Sequence, residues 1–534
     1  MGRRVQGRIA LFFFAGAVCF AAATAPWGLD AQEPLDGLGL YIVESMPDWD
    51  LPGLAVAVVY GDEVVFSDGF GVKELGKNDP VDAGTRFQVG STTKAFAAAA
   101  IGALVDDGLV GWDDPVVRHL PWFRLKDPWI TAHVTIRDLL SHRSGMAAHA
   151  FPALTLFSAR EVAERGRLLD GQGPFRGEYR YSNQAYGVAG LIVEAVSGMS
   201  WGDWVEGRLF GPLGMSGSEA SPYGVWDDPF VAPTFLGTAP AGLVGIEDAP
   251  DANVAMPHGV DRHGERRVLP WQSYDNLQAA GSVVSSATDM ANWLRMHLSG
   301  GTYEGIQVLG KSTVEEILAP QILTPGYFMF ADEGYDAYGL GWTRETFEGH
   351  TYVSHGGGIF GFPAYVAMLP ELGVGVVVLA NGSLWTPYYP HQEIAAWVFG
   401  RLLGVEGRDW HGESMAGTAA ILQQVEQALA ARDASRIPDT DTSLPLEGFV
   451  GTYESEVAGP LTVSLVDGRL RLAFPGPGAF SGDLEHWHYD TFMLHYHGGD
   501  GQAWANSLAT FRVGATGEVT GLDLARLGEY TRGR

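Results

Sequence analysis

The stretch FQVGSTTKAFAAAAIGALVDDGL, residues 87–109, places a serine three positions before a lysine, as Ser91 and Lys94. The chain has only five lysines, and no other lysine has a serine at this spacing. A serine hydroxyl is a weak nucleophile at neutral pH and needs a neighbouring base to attack a carbonyl carbon. A lysine serves as that base when desolvation lowers its pKa. The pair therefore indicates covalent chemistry at an acyl group.

In a helix the side chains of Ser91 and Lys94 would point in the same direction, because residues three apart share one helix face. Gly90 ends an extended piece, and the alanine-rich run that follows predicts a helix that is apolar on nearly all sides. Lys94 is therefore expected to be buried, close to the N–H donors and partial positive charge of the helix N-terminus. The structural alternative is that Ser91 is a helix N-cap and Lys94 a surface lysine.

Two further segments carry residue types that such a site uses. In RYSNQAYGVAG, Tyr181 could relay a proton to the leaving group and Asn183 could hydrogen-bond a substrate amide. In VSHGGGIFGFPAYVAML, the glycines after His355 allow a substrate backbone to approach, and a free N–H there could hold an oxyanion. The structural alternatives are a turn with Asn183 as helix N-cap and a glycine-rich turn before a strand.

In order and spacing, Ser91-Thr92-Thr93-Lys94, Tyr181-Ser182-Asn183 and His355-Gly356-Gly357 resemble the three motifs of the serine β-lactamase and penicillin-binding-protein superfamily. The segments TIRDLLSHRSGM and AAGSVVSSATDMANWLRMHL also resemble that family, above all class C β-lactamases and their esterase and peptidase relatives. The resemblance covers roughly residues 35–400. It implies the α/β fold of β-lactamases and transpeptidases, with an antiparallel sheet flanked by helices.

The resemblance assigns a role to each of four side chains. It implies that Ser91 is the acylated nucleophile and that Lys94 is its base. Tyr181 would shuttle the proton between the nucleophile and the leaving group, and Asn183 would bind substrate. No cofactor and no metal is implied.

The resemblance also implies that His355, Gly356 and Gly357 line an edge strand beside the substrate, and that the N–H groups of Ser91 and Gly358 form the oxyanion hole. The best-known members of the family have lysine where His355 stands, and its fixed positive charge suits a substrate carboxylate. Histidine is mostly neutral at pH 7. This difference disfavours a dedicated β-lactamase and leaves ester or peptide hydrolysis more open.

Length and charge limit the domain count and the partners. The 534 residues exceed one ordinary hydrophobic core, so a leader and two structured domains are expected. The formal net charge of −29 repels phosphate backbones and anionic lipid, which disfavours nucleic acid as a partner. The expected partner is a small-molecule ester, amide or peptide substrate, whereas the oligomeric state does not follow from the sequence.

The N-terminus has the pattern of a secretory signal peptide. Three arginines among the first eight residues precede an apolar run at residues 9–25, and small residues follow. Cleavage near Ala31 would make the protein secreted or periplasmic, and an uncleaved N-terminal anchor is the alternative. Cys19 is the only cysteine, so the cleaved chain would have no disulfide and no thiolate nucleophile. No later segment is predicted to span a membrane.

Turn signals between β-branched runs predict two β-hairpins, at residues 54–71 and 364–382. The pattern between them is mostly helical, which indicates one α/β unit with a mainly antiparallel sheet built from its first and last parts. Five helices are predicted in this unit: Thr92–Asp107, Thr135–Ser141, Asn183–Ser197, Trp201–Leu209 and Ala287–Leu298.

The character of the sequence changes near residue 400. We expect a signal peptide at residues 1–31, a serine hydrolase domain at 32–402, a helical segment and linker at 403–445, and a C-terminal β domain at 446–534. A helix is predicted at Thr418–Arg432. The short alternating runs that follow predict a small barrel or sandwich. This module resembles the lipocalin-like β domain attached to some members of the superfamily.

Two other motifs invite a chemical interpretation that we do not favour. Gly198-Met199-Ser200-Trp201-Gly202 fits the nucleophile elbow, but the elbow needs a preceding strand and the pattern here is helical. Ser200 is instead expected to cap the next helix, together with Asp203. The H-x-H pairs at residues 486–488 and 495–497 could gather four imidazoles around zinc, but ordinary barrel positions are the favoured interpretation.

The sequence therefore predicts a secreted serine hydrolase that is acylated at Ser91 and acts on esters or peptides, including D-amino-acid or cell-wall-like ones. A β-lactamase or DD-carboxypeptidase is the enzymatic alternative. The alternative of another class is a ligand-binding or sensing protein that does not turn over, and the complete motifs argue against it. The substrate itself does not follow, because loops such as residues 222–278 set specificity in this fold.

Overall fold

The structure of the protein is a computed structural model. It describes residues 35–146, 157–171, 173–225, 253–260, 265–269, 271, 273–332, 334–359, 361–383, 390–475, 481–497, 507–525 and 528–533. The predicted signal peptide with Cys19, and much of the loop at residues 222–278, lie outside the described residues. Within the described ranges, no helix combines the length and the apolarity needed to cross a membrane.

One eight-stranded antiparallel sheet organises the part of the chain before residue 400, in the order β2-β1-β14-β13-β12-β11-β10-β9. Six short strands of this part form three two-stranded sheets outside it. The strands are β1 (Gly53–Tyr60), β2 (Glu63–Gly71), β3 (Arg86–Gln88), β4 (His258–Val260), β5 (Arg266–Val268), β6 (Val284–Ser286), β7 (Thr302–Tyr303), β8 (Ile306–Gln307), β9 (Ile322–Leu323), β10 (Ala337–Tyr338), β11 (Thr343–Phe347), β12 (His350–Ile359), β13 (Phe362–Leu369) and β14 (Val374–Ala380). Both predicted hairpins are confirmed. So is the prediction that the first and last strands share a sheet, since β1 pairs with β14.

Helices cover both faces of the sheet. They are α1 (Leu38–Trp49), α2 (Thr93–Asp106), α3 (Val116–His119), α4 (Pro128–His133), α5 (Ile136–Leu140), α6 (Ala159–Arg165), α7 (Asn183–Ser197), α8 (Trp201–Val205), α9 (Gln278–Gly281), α10 (Ala287–Leu298), α11 (Lys311–Leu318), α12 (Pro390–Leu403) and α13 (Trp410–Ala434). Four of the five helices predicted in this unit agree to within one residue at each end. The fifth consists of α8 and a following π-helical turn, Glu206–Phe210. The helix predicted at residues 418–432 is the later part of α13.

The sheet separates two hydrophobic cores. Neighbouring residues of β1 face opposite cores, as Ala57 and Val58 do, because side chains alternate along a strand. With both faces covered, β1 is an almost continuous apolar run rather than an alternating one. Helix α2 lies in the larger core, where every residue from Thr93 to Leu104 is buried. The prediction that the alanine-rich helix is buried on nearly all sides is confirmed.

A closed barrel of eight antiparallel strands forms the C-terminal part, which decides between the predicted barrel and sandwich. Its strands are β15 (Gly451–Ser455), β16 (Gly459–Val466), β17 (Arg469–Ala473), β18 (Ser481–His488), β19 (Thr491–Tyr496), β20 (Ser507–Val513), β21 (Val519–Leu524) and β22 (Gly528–Arg532). The barrel closes where β15 pairs with β22. Its interior is filled by apolar side chains such as Phe449 and Leu522.

The glycine-rich segment His355–Gly358 lies inside β12, which corrects the expectation of a turn before a strand. Nor is β12 an edge strand of the sheet, because β11, β10 and β9 lie beyond it. Its pairing with β11 ends at Ser354, and the residues that follow pair only with β13. Half of β12 therefore behaves as an edge although the strand as a whole does not.

Glycines occupy this half of β12 because the chain around Ser91 crosses it at very short range. A Cβ placed on Gly357 would lie 2.0 Å from the carbonyl oxygen of Val89. A Cβ placed on Gly90 would lie 2.6 Å from the backbone nitrogen of Gly358. Only glycine leaves room for two backbones at this separation.

We expect Gly357→Ala to lower the free energy of unfolding by about 1–3 kcal/mol, the usual range for overpacking, because its Cβ would meet backbone that cannot move aside freely. Gly356→Ala is the matched control, since the nearest heavy atom to its Cβ is 3.8 Å away. Chemical denaturation of the two variants and the wild type measures the difference. Equal unfolding midpoints for the two variants would contradict the close crossing.

Candidate active site

Ser91 lies in a 3-10 turn, Gly90–Thr92, between strand β3 and helix α2. Strand β3 pairs with β6, which fixes the point where this turn begins. Gly90 has a φ of +52°, a conformation that glycine adopts at little cost. The turn brings Ser91 to the wall of a cavity of about 680 Å³. Thr92, not Ser91, is the N-cap residue of α2, so the capping alternative for Ser91 is wrong.

Lys94 is fully buried on the first turn of α2. Its Nζ lies 3.0 Å from Ser91 Oγ and 2.8 Å from the carbonyl oxygen of Ala280 in α9. Burial removes the water that would stabilise an ammonium group and so holds the pKa of Lys94 well below its usual value. The surface-lysine alternative is therefore wrong. A lysine with a lowered pKa is able to accept the Ser91 proton.

Tyr181 lies against the same pair of groups, where the sequence motif placed it. Lys94 Nζ is 4.7 Å from the centroid of the Tyr181 ring. Burial raises the pKa of the Tyr181 phenol, and a hydrogen bond with Ser91 acts in the opposite direction. The phenol therefore keeps its proton at neutral pH and is placed to exchange it with the Ser91 hydroxyl.

Asn183 is the first residue of α7, and the side chain of Ser182 caps this helix, so the alternative that made Asn183 the N-cap is wrong. The Asn183 Nδ2 donates to Tyr274 Oη at 3.4 Å. Its Oδ1 is buried and has no hydrogen-bond partner among the residues that the structure describes. A buried amide oxygen without a partner is costly, and Asn183 is not among the residues that line the cavity.

His355 is buried in β12 with both ring nitrogens bonded. Its Nδ1 donates to the carbonyl oxygen of Gly356 at 2.6 Å, so its Nε2 accepts from Tyr338 Oη at 2.9 Å. Burial, with a smaller contribution from Lys94, lowers the pKa of His355 to about 3. The imidazole is neutral at physiological pH. Gly356, Gly357 and Gly358 also line the cavity, as Ser91 does.

His142 belongs to the site although no pattern in the sequence marks its role. Its φ is +58°, in the left-handed region. Its Nδ1 accepts a hydrogen bond from the Ser182 N–H at 3.1 Å. This hydrogen bond holds the Tyr181–Asn183 turn in place. The rings of His142 and Tyr181 lie 4.4 Å apart. Burial holds the pKa of His142 well below its usual value, so Nδ1 stays an acceptor. The only sequence feature that pointed to His142 was its place in the family-like segment TIRDLLSHRSGM.

The cavity has an aromatic wall, and one of its lining residues comes from an unexpected helix. Four tyrosines besides Tyr181 line it, namely Tyr179, Tyr327, Tyr338 and Tyr365. Ile421 lines it as well, from helix α13, beyond the sheet and its covering helices. Helix α13 also approaches Met329, another cavity residue, since a Cβ placed on Gly417 would lie 3.0 Å from Met329 Cε. The sequence did not reveal this, because Ile421 lies outside the part that resembles the family.

The two rejected motifs lie away from this site. Ser200 caps α8 by accepting from the Asp203 N–H, and helix α7 precedes it, so the elbow geometry is absent at this residue. The four histidines of the H-x-H pairs each bond to a different group: His486 to the Tyr489 carbonyl, His488 to the Ile437 N–H, His495 to Glu485 and His497 to Asp483. In the described part of the chain, no three His, Cys, Asp or Glu side chains are grouped to hold a metal ion.

Comparison with known families gives two matches. The model of the family described as Beta-lactamase matches residues 41–400. A model described as Domain of unknown function (DUF3471) matches residues 435–532. The first match spans the sheet, the three motifs and most of helix α12. It ends before α13.

Among curated proteins, this chain is 32% identical to Unguisins hydrolase ungD' of Aspergillus campestris (strain IBT 28561), over 67% of this chain and 64% of that protein. It is 29% identical to Unguisins hydrolase ungD of Aspergillus violaceofuscus (strain CBS 115571), over 82% of this chain and 78% of that protein. It is also 29% identical to Penicillin-binding protein 4 of Amycolatopsis lactamdurans, over 66% of this chain and 87% of that protein.

Solved structures support the fold. The octameric penicillin-binding protein homologue from Pyrococcus abyssi superposes with a TM-score of 0.58 at 22% identity, covering 93% of this chain and all of that one. A crystal structure of SurE gives a TM-score of 0.54 at 22% identity, covering 94% of this chain and 99% of that one. At such identities the likeness establishes the fold and not the activity.

At pH 7 we expect Lys94→Met to raise the free energy of unfolding and to abolish reaction at Ser91. The folded-state pKa of Lys94 lies below its ordinary value of 10.5, so between these two values the unfolded chain binds a proton that the folded chain does not. The unfavourable contribution of Lys94 to wild-type stability must therefore shrink as pH approaches 10.5, by about 1.4 kcal/mol per unit of the pKa difference. The gain from Lys94→Met should shrink over the same range.

Guanidinium denaturation at pH 7 and pH 10.5 measures this gain. Lys311→Met is the matched control, because the Lys311 side chain is 79% exposed. Its effect on stability should be small and should not follow that pH trend. A gain from Lys94→Met that stays constant or grows with pH would argue that the lysine is not desolvated.

We expect His142→Ala to slow acylation of Ser91 by about 10–100-fold, because the Ser182 N–H loses its acceptor and the Tyr181–Asn183 turn is released. His142→Asn retains an acceptor near the position of Nδ1 and should keep most of the rate. The rate of labelling by a fluorophosphonate probe measures acylation, with unfolding midpoints as the folding control. Equal losses in both variants, at matched stability, would count against the hydrogen bond.

Proposed function

The chain belongs to the beta-lactamase family, and on that basis we propose that it is a secreted serine hydrolase acylated at Ser91. One observation carries this proposal. Lys94 Nζ lies 3.0 Å from Ser91 Oγ, on a lysine that is fully buried and held below its usual pKa. A buried neutral amine at hydrogen-bond distance is what a serine needs to act as a nucleophile at neutral pH.

Acylation begins when Lys94 Nζ accepts the Ser91 proton and Oγ attacks the carbonyl carbon of the substrate. The N–H groups of Ser91 and Gly358 stabilise the oxyanion that forms. The proton passes from Lys94 through the Tyr181 phenol to the leaving group, whose bond to carbon then breaks. Asn183 orients the substrate with its amide. The products of this half-reaction are the free alcohol or amine and an ester at Ser91.

Deacylation repeats these steps with water. A water molecule gives a proton to the Lys94–Tyr181 pair and attacks the Ser91 ester carbonyl, and the same N–H groups hold the oxyanion. The C–O bond to Ser91 breaks, and Oγ recovers its proton. The acid product leaves and the lysine is neutral again, so the cycle consumes one water and needs no cofactor.

Esters and peptides, including D-amino-acid or cell-wall-like peptides, are the proposed substrates. Two relatives whose names include the word hydrolase support turnover over a ligand-binding role. Similarity to a protein named Penicillin-binding protein 4 favours the second candidate, a β-lactamase or DD-carboxypeptidase. The neutral His355 disfavours that candidate, because no fixed cation stands at its position.

The basic and apolar N-terminus supports secretion through a signal peptide at residues 1–31. We place the hydrolase domain at residues 32–402, the helical segment and linker at 403–445, and the barrel domain at 446–534. The boundaries follow the change in sequence character near residue 400, and the separate family matches at residues 41–400 and 435–532 support a division into two domains.

A tryptic mass map after treatment with a fluorophosphonate probe tests the mechanism. The adduct is expected on the peptide FQVGSTTK, residues 87–94, with fragment ions that assign it to Ser91. Lys94→Ala should slow labelling by about 10²–10⁴-fold, the usual contribution of a general base. In that variant the labelled peptide extends to Arg118, which identifies it independently.

Ser200→Ala is the control, because Ser200 only caps α8, and it should be labelled as fast as the wild type. Turnover of a simple ester then separates an enzyme from a protein that reacts once. Hydrolysis of nitrocefin relative to that ester separates a β-lactamase from an esterase or peptidase. An adduct at another serine, or none at all, would overturn the proposed mechanism.

A further inference from the structure

The cavity beside Ser91 is lined without a single permanent charge among the residues that the structure describes. Its polar lining consists of tyrosine, serine and threonine hydroxyls, one glutamine, and the imidazoles of His355 and His391. Burial lowers the pKa of His355 to about 3 and that of His391 to about 4, so both rings are neutral at physiological pH. Lys94 is not among the lining residues; its Nζ is directed at Ser91, and burial holds its pKa well below the usual value.

The hydrogen bonds of His355 suit its neutral form. Its Nδ1–H is committed to the Gly356 carbonyl, and its Nε2 lone pair accepts from Tyr338. Protonation would turn Nε2 into a donor facing a hydroxyl that already donates to it. A carboxylate at this end of the cavity would find hydroxyls but no positive charge. Desolvating a carboxylate without a cation is strongly unfavourable.

The stretches outside the described residues are poor in cationic side chains. Between residues 147 and 389, the stretches outside the described residues contain one arginine, Arg262, and no lysine. The net charge of −29 also opposes the approach of an anion to the protein. The aromatic wall of Tyr179, Tyr327 and Tyr365 instead favours contact with apolar or aromatic groups.

We propose that the substrate carries no carboxylate next to the bond that is cleaved. The substrate class is a neutral ester, or an internal peptide bond of a chain whose ends are remote or capped, with an apolar or aromatic group on the tyrosine wall. The C-terminal residue of a peptide and the ring carboxylate of a β-lactam are excluded. This inference rests on the proposed function, and the specificity-determining residue is His355.

A matched pair of aryl esters tests the inference. Both carry the phenylacetylglycyl acyl group; one has 3-hydroxybenzamide as its leaving group and the other 3-hydroxybenzoate. The two leaving groups share size and shape and differ in charge. We expect the wild type to cleave the amide-bearing ester with a kcat/KM at least about 10-fold higher, a factor that corresponds to one lost charge contact.

Two variants at position 355 test whether His355 causes this preference. His355→Lys should reduce or reverse the preference, and His355→Gln, which stays neutral, should retain it. An equal or higher kcat/KM of the wild type for the carboxylate ester would overturn the inference while leaving the Ser91 mechanism standing. Cleavage of neither ester by a protein still labelled at Ser91 would overturn the substrate class. Absence of both cleavage and labelling would overturn the proposed function itself.

Discussion

The burial of Lys94 beside Ser91 is the constraint on which the rest of this structure depends. Folding takes the lysine fully out of water and leaves its Nζ in contact with a hydroxyl and a backbone carbonyl, neither of which offsets a charge. The loss of water without a counter-charge lowers the pKa of the amine, and a lowered pKa lets the amine act as a base. Such burial requires that α2 be packed closely on every side, which its alanines permit. Gly341 contributes too, because a Cβ there would lie 2.6 Å from the Lys94 carbonyl oxygen.

The same close packing brings three distant pieces of chain to one point. The Ser91 turn crosses the half of β12 that has lost its neighbour β11, and glycines on both sides allow the backbones to meet. The Tyr181–Asn183 turn is held from the other direction by the neutral ring of His142. Neutrality therefore recurs through the site: charging the lysine or either histidine would break a hydrogen bond or leave a buried ion. The hydrogen bonds that hold the site in shape therefore depend on these side chains being uncharged.

Much of this organisation follows from local sequence, and what does not follow is non-local. The spacing of Ser91 and Lys94 predicted a shared helix face because a helix turn is a local structure. An N-cap role for Asn183 stayed open as an alternative because both Ser182 and Asn183 are good caps and only the backbone decides between them. A turn stayed open as an alternative for the glycines of β12 because glycine usually weakens strands, and the crossing chain that requires them lies far away in sequence. His142 escaped notice for a similar reason, since its role depends on a turn some forty residues later.

The position of Ile421 means that recombination within the gene would change this cavity. The family match ends at residue 400, yet Ile421, one of the residues that line the cavity, lies on α13. A recombination event that replaced the chain beyond that boundary would replace part of the cavity lining with it. The lining of such chimeras would be inherited from both parents, whereas Ser91 and Lys94 would come from one. Selection on the helical segment beyond residue 400 is therefore also selection on the shape of the cavity.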